Sequence, residues 1–228
     1  MPDFKTEKAI VLGVKNLGER SYVVSLLTQE NGRYLGVYKG KKPPQIADIV
    51  SARWQARLNE QLGTFYLEHL KSTAAPFLDD WARLCALKSL CEILNVCLPE
   101  RQKYENVYHH MLLFFNKLNK ETYVKDYILF ELFLLSELGF SLDLTSCAGG
   151  GDKNNLSYVS PKTGHAVSQE MGRPYHDKLL PLPAFFIKEV APSFDDLKNG
   201  LNLTGYFLTK HALKHFLPPE RKFLLKRK

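Results

Sequence analysis

The chain has 228 residues, a formal net charge of +7 and an apolar fraction of 45%. That apolar share excludes a disordered chain, and no run of eighteen apolar residues exists to build a membrane-spanning helix. Residues 1–75 hold 11 Lys and Arg against 7 Asp and Glu, residues 76–209 hold 13 against 16, and residues 210–228 hold 7 against 1. Basic ends of this kind favour polyanions through phosphate contacts and counterion release, a solvated surface being the alternative. The opening Met1-Pro2-Asp3-Phe4-Lys5 lacks a charged segment followed by a long apolar core, so no export is expected and the protein is placed in the cytoplasm.

The first seventy-odd residues read as five short strands. Ala9 to Lys15 and Ser21 to Thr28 are β-rich runs, and Asn31-Gly32 is a hairpin turn signal. Arg33 to Lys39 alternates, with Arg33, Leu35, Val37 and Lys39 on one face and Tyr34 and Tyr38 on the other. Lys41-Lys42-Pro43-Pro44 cannot sit in a central strand. Ile49 to Leu58 sets Arg53, Gln55 and Arg57 against Trp54, Ala56 and Leu58, and Thr64 to Leu70 follows Gly63. Five antiparallel strands in this length suit an oligonucleotide/oligosaccharide-binding (OB) barrel, with the helix between strands three and four absent or very short.

OB barrels hold single strands by combining a cationic groove with aromatic rings on which bases stack. Candidate phosphate ligands are Lys15, Arg20, Arg33, Lys39, Lys41, Lys42, Arg53 and Arg57, and candidate stacking rings are Tyr22, Tyr34 and Tyr38. Each tyrosine has the alternative of packing inside the barrel with a wet hydroxyl. Lys39-Gly40-Lys41-Lys42 is the strongest segment, because Gly40 would let a mobile loop present several cations.

The remainder reads as helical, making the whole an α+β protein: a barrel domain over residues 1–75 and a helical domain over 76–228. Asp79-Asp80 opens a first helix with the stripe Leu84, Leu87, Cys91, Leu94 and Leu98, stopped by Pro99. Val107, Met111, Phe114 and Leu118 mark a second. Thr122 is placed as cap of a third, apolar nearly all round and ending at Gly139. Residues 143–183 form a loop and hairpin insertion, with Leu156 to Ser160 and His165 to Ser168 around the turn Pro161 to Gly164. Ser193 and Thr204 are placed as caps of two closing helices, before a basic tail over 218–228.

Enzyme signatures are missing. There is no phosphate-loop motif, and Gly149-Gly150-Gly151-Asp152 lacks dinucleotide-fingerprint spacing. His109 and His110 point about 100° apart on a helix, and Asp79-Asp80 and Asp195-Asp196 read as helix starts rather than a two-metal nuclease site. Cys85, Cys91 and Cys97 recur every six residues, each about 120° from the last. They read as small apolar fillers in a reducing compartment.

One ordered set of segments resembles a known family. Ala9-Ile10-Val11-Leu12, Gly18-Glu19, Leu26-Leu27-Thr28 and Lys39-Gly40 come first. Leu134-Leu135-Ser136-Glu137-Leu138-Gly139-Phe140 follows, then Leu142, Leu144 and Cys147. Tyr158-Val159-Ser160-Pro161-Lys162-Thr163-Gly164, Leu182-Pro183 and Leu203-Thr204-Gly205-Tyr206-Phe207-Leu208 complete it. Together they resemble the RecO family of bacterial DNA-repair proteins over nearly the whole chain.

The resemblance implies a recombination mediator and no bond chemistry. Such a protein binds single- and double-stranded DNA, anneals complementary strands and grips the acidic tail of single-stranded DNA-binding protein. With RecR it helps load RecA, in the cytoplasm at the nucleoid. Lys125 and the basic residues of the last helix are candidate rims for that tail. The alternatives are a protein-interaction adaptor built on the same barrel, or a nuclease. Some members carry a four-cysteine zinc ribbon around the hairpin. Here Cys147 holds the first ligand place, Gly150 the second, and Ser168 and Met171 lie near the other two. One thiolate, even with His165, is too few for structural zinc, so no cofactor is expected.

Overall fold

The computed structural model describes residues 3–58, 62–213 and 216–225. Strands β1 (Asp3–Gly18), β2 (Ser21–Thr28), β3 (Gly32–Lys39), β4 (Ile49–Gln55) and β5 (Gly63–Lys71) close into a barrel in the order β1-β2-β3-β5-β4. All neighbours are antiparallel except β3 and β5. The first half of β1 pairs with β4 and its second half with β2. Register breaks between Val11 and Gly13, and between Asn16 and Gly18, bend the strand round the barrel. Helices follow the barrel, so the α+β reading holds, and residues 40–48 contain no helix. β4 ends at Gln55, where its pairing with Thr64 of β5 ends, so Ala56, Arg57 and Leu58 lie beyond the strand.

Alternation decides the interior. Ala9, Val11, Val24, Leu26, Val50, Ala52, Trp54 and Phe65 point inward and are buried, each large side chain contributing about 1.5–3 kcal/mol of burial. Trp54 donates its indole N–H to the Leu35 carbonyl at 3.1 Å, which satisfies its one polar atom.

The chain divides into two compact units, residues 1–116 with 218–228, and residues 117–217. This differs from a division at residue 75, for a physical reason. Helix α1 (Trp81–Cys97) packs on β1 and on a 3-10 turn over Pro219–Phe223, so the barrel, α1 and the chain's end are one body. Asp80 caps α1, accepting from the Arg83 N–H at 3.1 Å. Cys85 and Cys91 are buried fillers of its inner face, as expected. In the turn, Glu220 pairs with Lys88 at 2.5 Å, Phe223 meets Trp81 edge-on and Leu224 is buried. The basic tail thus folds onto α1 as far as it is described; Lys226, Arg227 and Lys228 lie outside the described residues. Helix α2 (Glu105–Lys117) buries Val107, Tyr108, Met111 and Phe114.

In the second unit α3 (Tyr123–Glu137) packs on α5 (Phe194–His211). Between them in sequence lie strands β6 (Leu156–Val159) and β7 (Ala166–Ser168), helix α4 (Gln169–Gly172) and strand β8 (Leu180–Pro181), the strands forming a sheet in the order β7-β6-β8. Two expected caps differ. Thr122 makes no cap bond, and its hydroxyl donates to Asp126 instead. Thr204 starts no helix: it is buried in the middle of α5, with Oγ1 within hydrogen-bonding reach of the buried Glu131 carboxylate and the Gly200 carbonyl. A mid-helix threonine satisfies its hydroxyl this way, so one helix stands where two were expected. Ser193 does cap α5, in a reciprocal capping box with Asp196.

Candidate nucleic-acid interface

The barrel sorts the sequence candidates by the direction in which each strand position points. On β2 and β3, Tyr22, Tyr34 and Tyr38 point inward and pack against the barrel core. Tyr22 and Tyr38 stack on each other at 6.5 Å, and Tyr34 meets Trp54 edge-on at 5.1 Å. These rings therefore build the barrel.

The outer face carries the charge. Ser21 of β2 is opposite Lys39 of β3, and Arg53 of β4 is opposite Tyr66 of β5. Tyr38 and Phe65 form the last pair of the parallel ladder, and alternation turns the residues that follow them, Lys39 and Tyr66, outward. The result is a row of Lys39, Tyr66 and Arg53. Tyr66 is 52% exposed, and the Arg53 guanidinium lies 4.6 Å from its ring centre. An exposed ring flanked by cations stacks bases while neutralising phosphates. Tyr66 is absent from the candidates above, although strict alternation along Thr64-Phe65-Tyr66-Leu67 places it outside.

Arg20 joins this end of the barrel. It sits in the β1–β2 turn at φ +55°, and its carbonyl accepts the Gly40 N–H at 3.0 Å. That bond ties the turn to the Lys39-Gly40-Lys41-Lys42 segment, where Lys39, Lys41 and Lys42 are all exposed. Gly40 serves close approach, since a Cβ there would lie 2.4 Å from the Tyr38 hydroxyl oxygen. The segment is thereby seated on the Tyr38 ring with its lysines outward, which presents several cations without requiring a mobile loop. Lys15 is exposed on the outer face of β1, opposite Val23.

Two arginines stand apart. Arg57 is exposed beyond the end of β4, toward the end of the barrel away from Lys39. Arg33 is turned to structural work, its side chain only 12% exposed. Its Nε donates to the Leu98 carbonyl at 2.7 Å, and its guanidinium lies 3.5 Å from Asn95 and Glu100. It fastens the end of α1 to the barrel.

In the second unit the expected rim cations are held by backbone. Lys125 donates to the Val190 carbonyl at 3.1 Å and lies 5.9 Å from the Phe185 ring centre, and Lys210 donates to the Pro161 carbonyl at 2.6 Å. His110 is satisfied on its own helix by the Asn106 carbonyl.

The hairpin's zinc-ribbon-like corner is also resolved. Ser168 and Met171 crowd the three-glycine loop beside Cys147: a Cβ on Gly151 would lie 2.3 Å from the Ser168 Oγ, and one on Gly149 3.2 Å from Met171. One thiol, one hydroxyl and one thioether do not fit structural zinc, and among the described residues no group of three or more His, Cys, Asp or Glu could hold a metal. Partial burial pushes the Cys147 thiol up, but hydrogen bonds from the Ser168 hydroxyl and from the Ser168, Gly149 and Gly151 N–H groups outweigh it and bring the thiol down to about 7. Burial pushes Cys91 and Cys97 up to about 12. Alkylation of the folded protein by iodoacetamide is expected to modify Cys147 with a half-maximal rate near pH 7 and to leave Cys91 and Cys97 untouched, as read by peptide mass mapping. Equal labelling of all the thiols would contradict this.

Comparison with known proteins agrees with the barrel and the helices. Residues 1–67 match the family model described as Recombination protein O N terminal, and residues 78–218 match Recombination protein O C terminal. The chain belongs to the RecO family. It is 42% identical to the DNA repair protein RecO of Rhodospirillum centenum, covering 92% of this chain and 88% of that one. It is 41% identical to the RecO of Bartonella quintana, covering 90% and 88%. It is 38% identical to that of Caulobacter sp. strain K31, covering 97% and 96%. The two RecO models meet between residues 67 and 78, close to the barrel's last strand. Among the described residues no helix is long and apolar enough to cross a membrane.

Proposed function

We propose that this chain is a DNA repair and homologous recombination mediator, working in the cytoplasm at the nucleoid. It binds single- and double-stranded DNA on the outer face of its barrel and anneals complementary strands. The observation that carries this reading is the row of Lys39, Tyr66 and Arg53, continued by Arg20, Lys41 and Lys42. The names of its relatives, DNA repair protein RecO, support it.

The mechanism is electrostatic and geometric. Cations on the barrel neutralise the phosphates of two strands, which lets them approach without mutual repulsion. A base stacked on Tyr66 keeps its pairing edge free. No step makes or breaks a covalent bond in DNA, and no metal is required. By its family, the chain also grips the acidic tail of single-stranded DNA-binding protein, joins RecR and helps place RecA on coated strands.

The test is annealing of two complementary oligonucleotides, followed by fluorescence transfer, with and without single-stranded DNA-binding protein on the strands. The full chain is expected to speed pairing of bare and coated strands alike, with no cleavage of labelled DNA in Mg²⁺. Pairing no faster than the uncatalysed rate, with no oligonucleotide binding even at low salt, would favour a protein-interaction adaptor.

A further inference from the structure

A second feature of the barrel lies beside the cationic row and shares Lys42 with it. Between the β3–β4 loop and the end of β5 opens a cleft of about 460 Å³, within the size range of pockets that enclose small flat ligands. Tyr38, Pro44, Val50 and Leu67 give it apolar walls, and Lys42 lines its edge. Asp48 also lines it, although its side chain is only 4% exposed.

A buried carboxylate is costly unless hydrogen-bond donors meet it. Asp48 accepts from the Ser72 hydroxyl at 3.0 Å, and the His69 Nε2 lies 3.5 Å from its other oxygen. Two carboxylate oxygens have about four acceptor positions, so capacity remains for a ligand's donors.

We propose that this cleft takes a single unstacked base from the bound strand and that Asp48 selects guanine. Guanine carries N1–H and the 2-amino group side by side on its pairing edge, a match for one carboxylate. Thymine puts carbonyls on both sides of its N3–H, which a carboxylate repels. Reading a displaced base by its pairing edge against apolar walls is an established kind of recognition. Lys42 is placed to hold the neighbouring phosphate. This rests on the strand-binding reading above and adds base preference to it.

The experiment compares a run of about 15 thymidines with the same strand carrying one central guanine, a length matched to a single barrel of this type. The guanine strand is expected to bind about tenfold more tightly, the effect of a good hydrogen-bonded pair with a charged group. Inosine in place of guanine, lacking the 2-amino donor, is expected to lose most of that gain. Asp48→Asn is expected to abolish the preference for the guanine strand over the thymidine strand. Free dGMP at the strand's own concentration is expected not to compete. Equal affinity for the thymidine and guanine strands, equal affinity for guanine and inosine, or a preference that survives Asp48→Asn would each overturn the proposal. So would displacement by equimolar dGMP, which would assign the cleft to free nucleotides. The inosine comparison uses the unaltered protein, so it decides the matter even if the variant fails to fold. If no strand binds at all, the strand-binding reading itself falls, and the cleft's role with it.

Discussion

A chain in which Lys39, Lys41 and Lys42 are all alanine is expected to bind a single strand of about 15 nucleotides about 100-fold more weakly near 0.1 M salt. The size follows from counterion release. Each phosphate contact to a single strand adds about 0.7 to the slope of log affinity against log salt, so three lost contacts flatten the slope by about 2. One decade below molar salt, that is about two decades of affinity. The fold is expected to survive, because all three side chains are exposed and exposed substitutions change stability by about 0.5 kcal/mol or less. Tyr66→Ala in the same assay is expected to lose about tenfold with the slope unchanged, since stacking releases no counterions. Fluorescence anisotropy over a salt series measures both. A triple variant that binds as tightly as the unaltered chain would remove this segment from the interface.

Gly32→Ala is expected to destabilise the barrel strongly. Gly32 ends the β2–β3 turn at φ +81°, where an L side chain is strained by about 1–2 kcal/mol. Its missing Cβ also leaves room for the backbone: a methyl there would lie 1.8 Å from the Gln102 carbonyl oxygen. That carbonyl belongs to the segment after α1 whose Arg101 N–H donates to the Arg33 carbonyl at 2.8 Å. Arg101 also lies over the Tyr34 and Trp54 rings at 5.7 and 5.3 Å. The methyl must push this segment off the hairpin, so the total cost is expected to be about 3 kcal/mol, or about 10 °C in Tm for a chain of this size. Thermal unfolding followed by circular dichroism checks it, and an unchanged Tm would show that the segment is free to move aside.

The barrel was legible in the sequence because its signals are local. Alternation along β3 and β4 separates inner from outer residues, and Asn31-Gly32 marks the hairpin. The same alternation assigns Tyr66 to the outside, whereas Tyr22, Tyr34 and Tyr38 are half-buried against the barrel core. What sequence could not supply is pairing over distance. Arg33 reads as one more surface cation until Leu98, Asn95 and Glu100, more than sixty residues away, are seen to take its donors. Thr204 looks like a cap until Glu131 comes across from α3. The boundary at residue 75 follows composition, whereas the compact unit follows the return of residues 219–223 onto α1, which no local pattern announces. Asp48, Ser72 and His69 likewise meet only because β4 and β5 are neighbours.

The most direct measurement is the affinity of the unaltered chain for a single-stranded oligonucleotide as salt is raised. Six exposed cations, Lys15, Arg20, Lys39, Lys41, Lys42 and Arg53, share the barrel's outer surface and the loops joined to it. They predict a straight line of log affinity against log salt with a slope of about −4. A slope near zero, with affinity unaffected by salt, would mean that these cations do not meet phosphates, and the interface described above would be wrong.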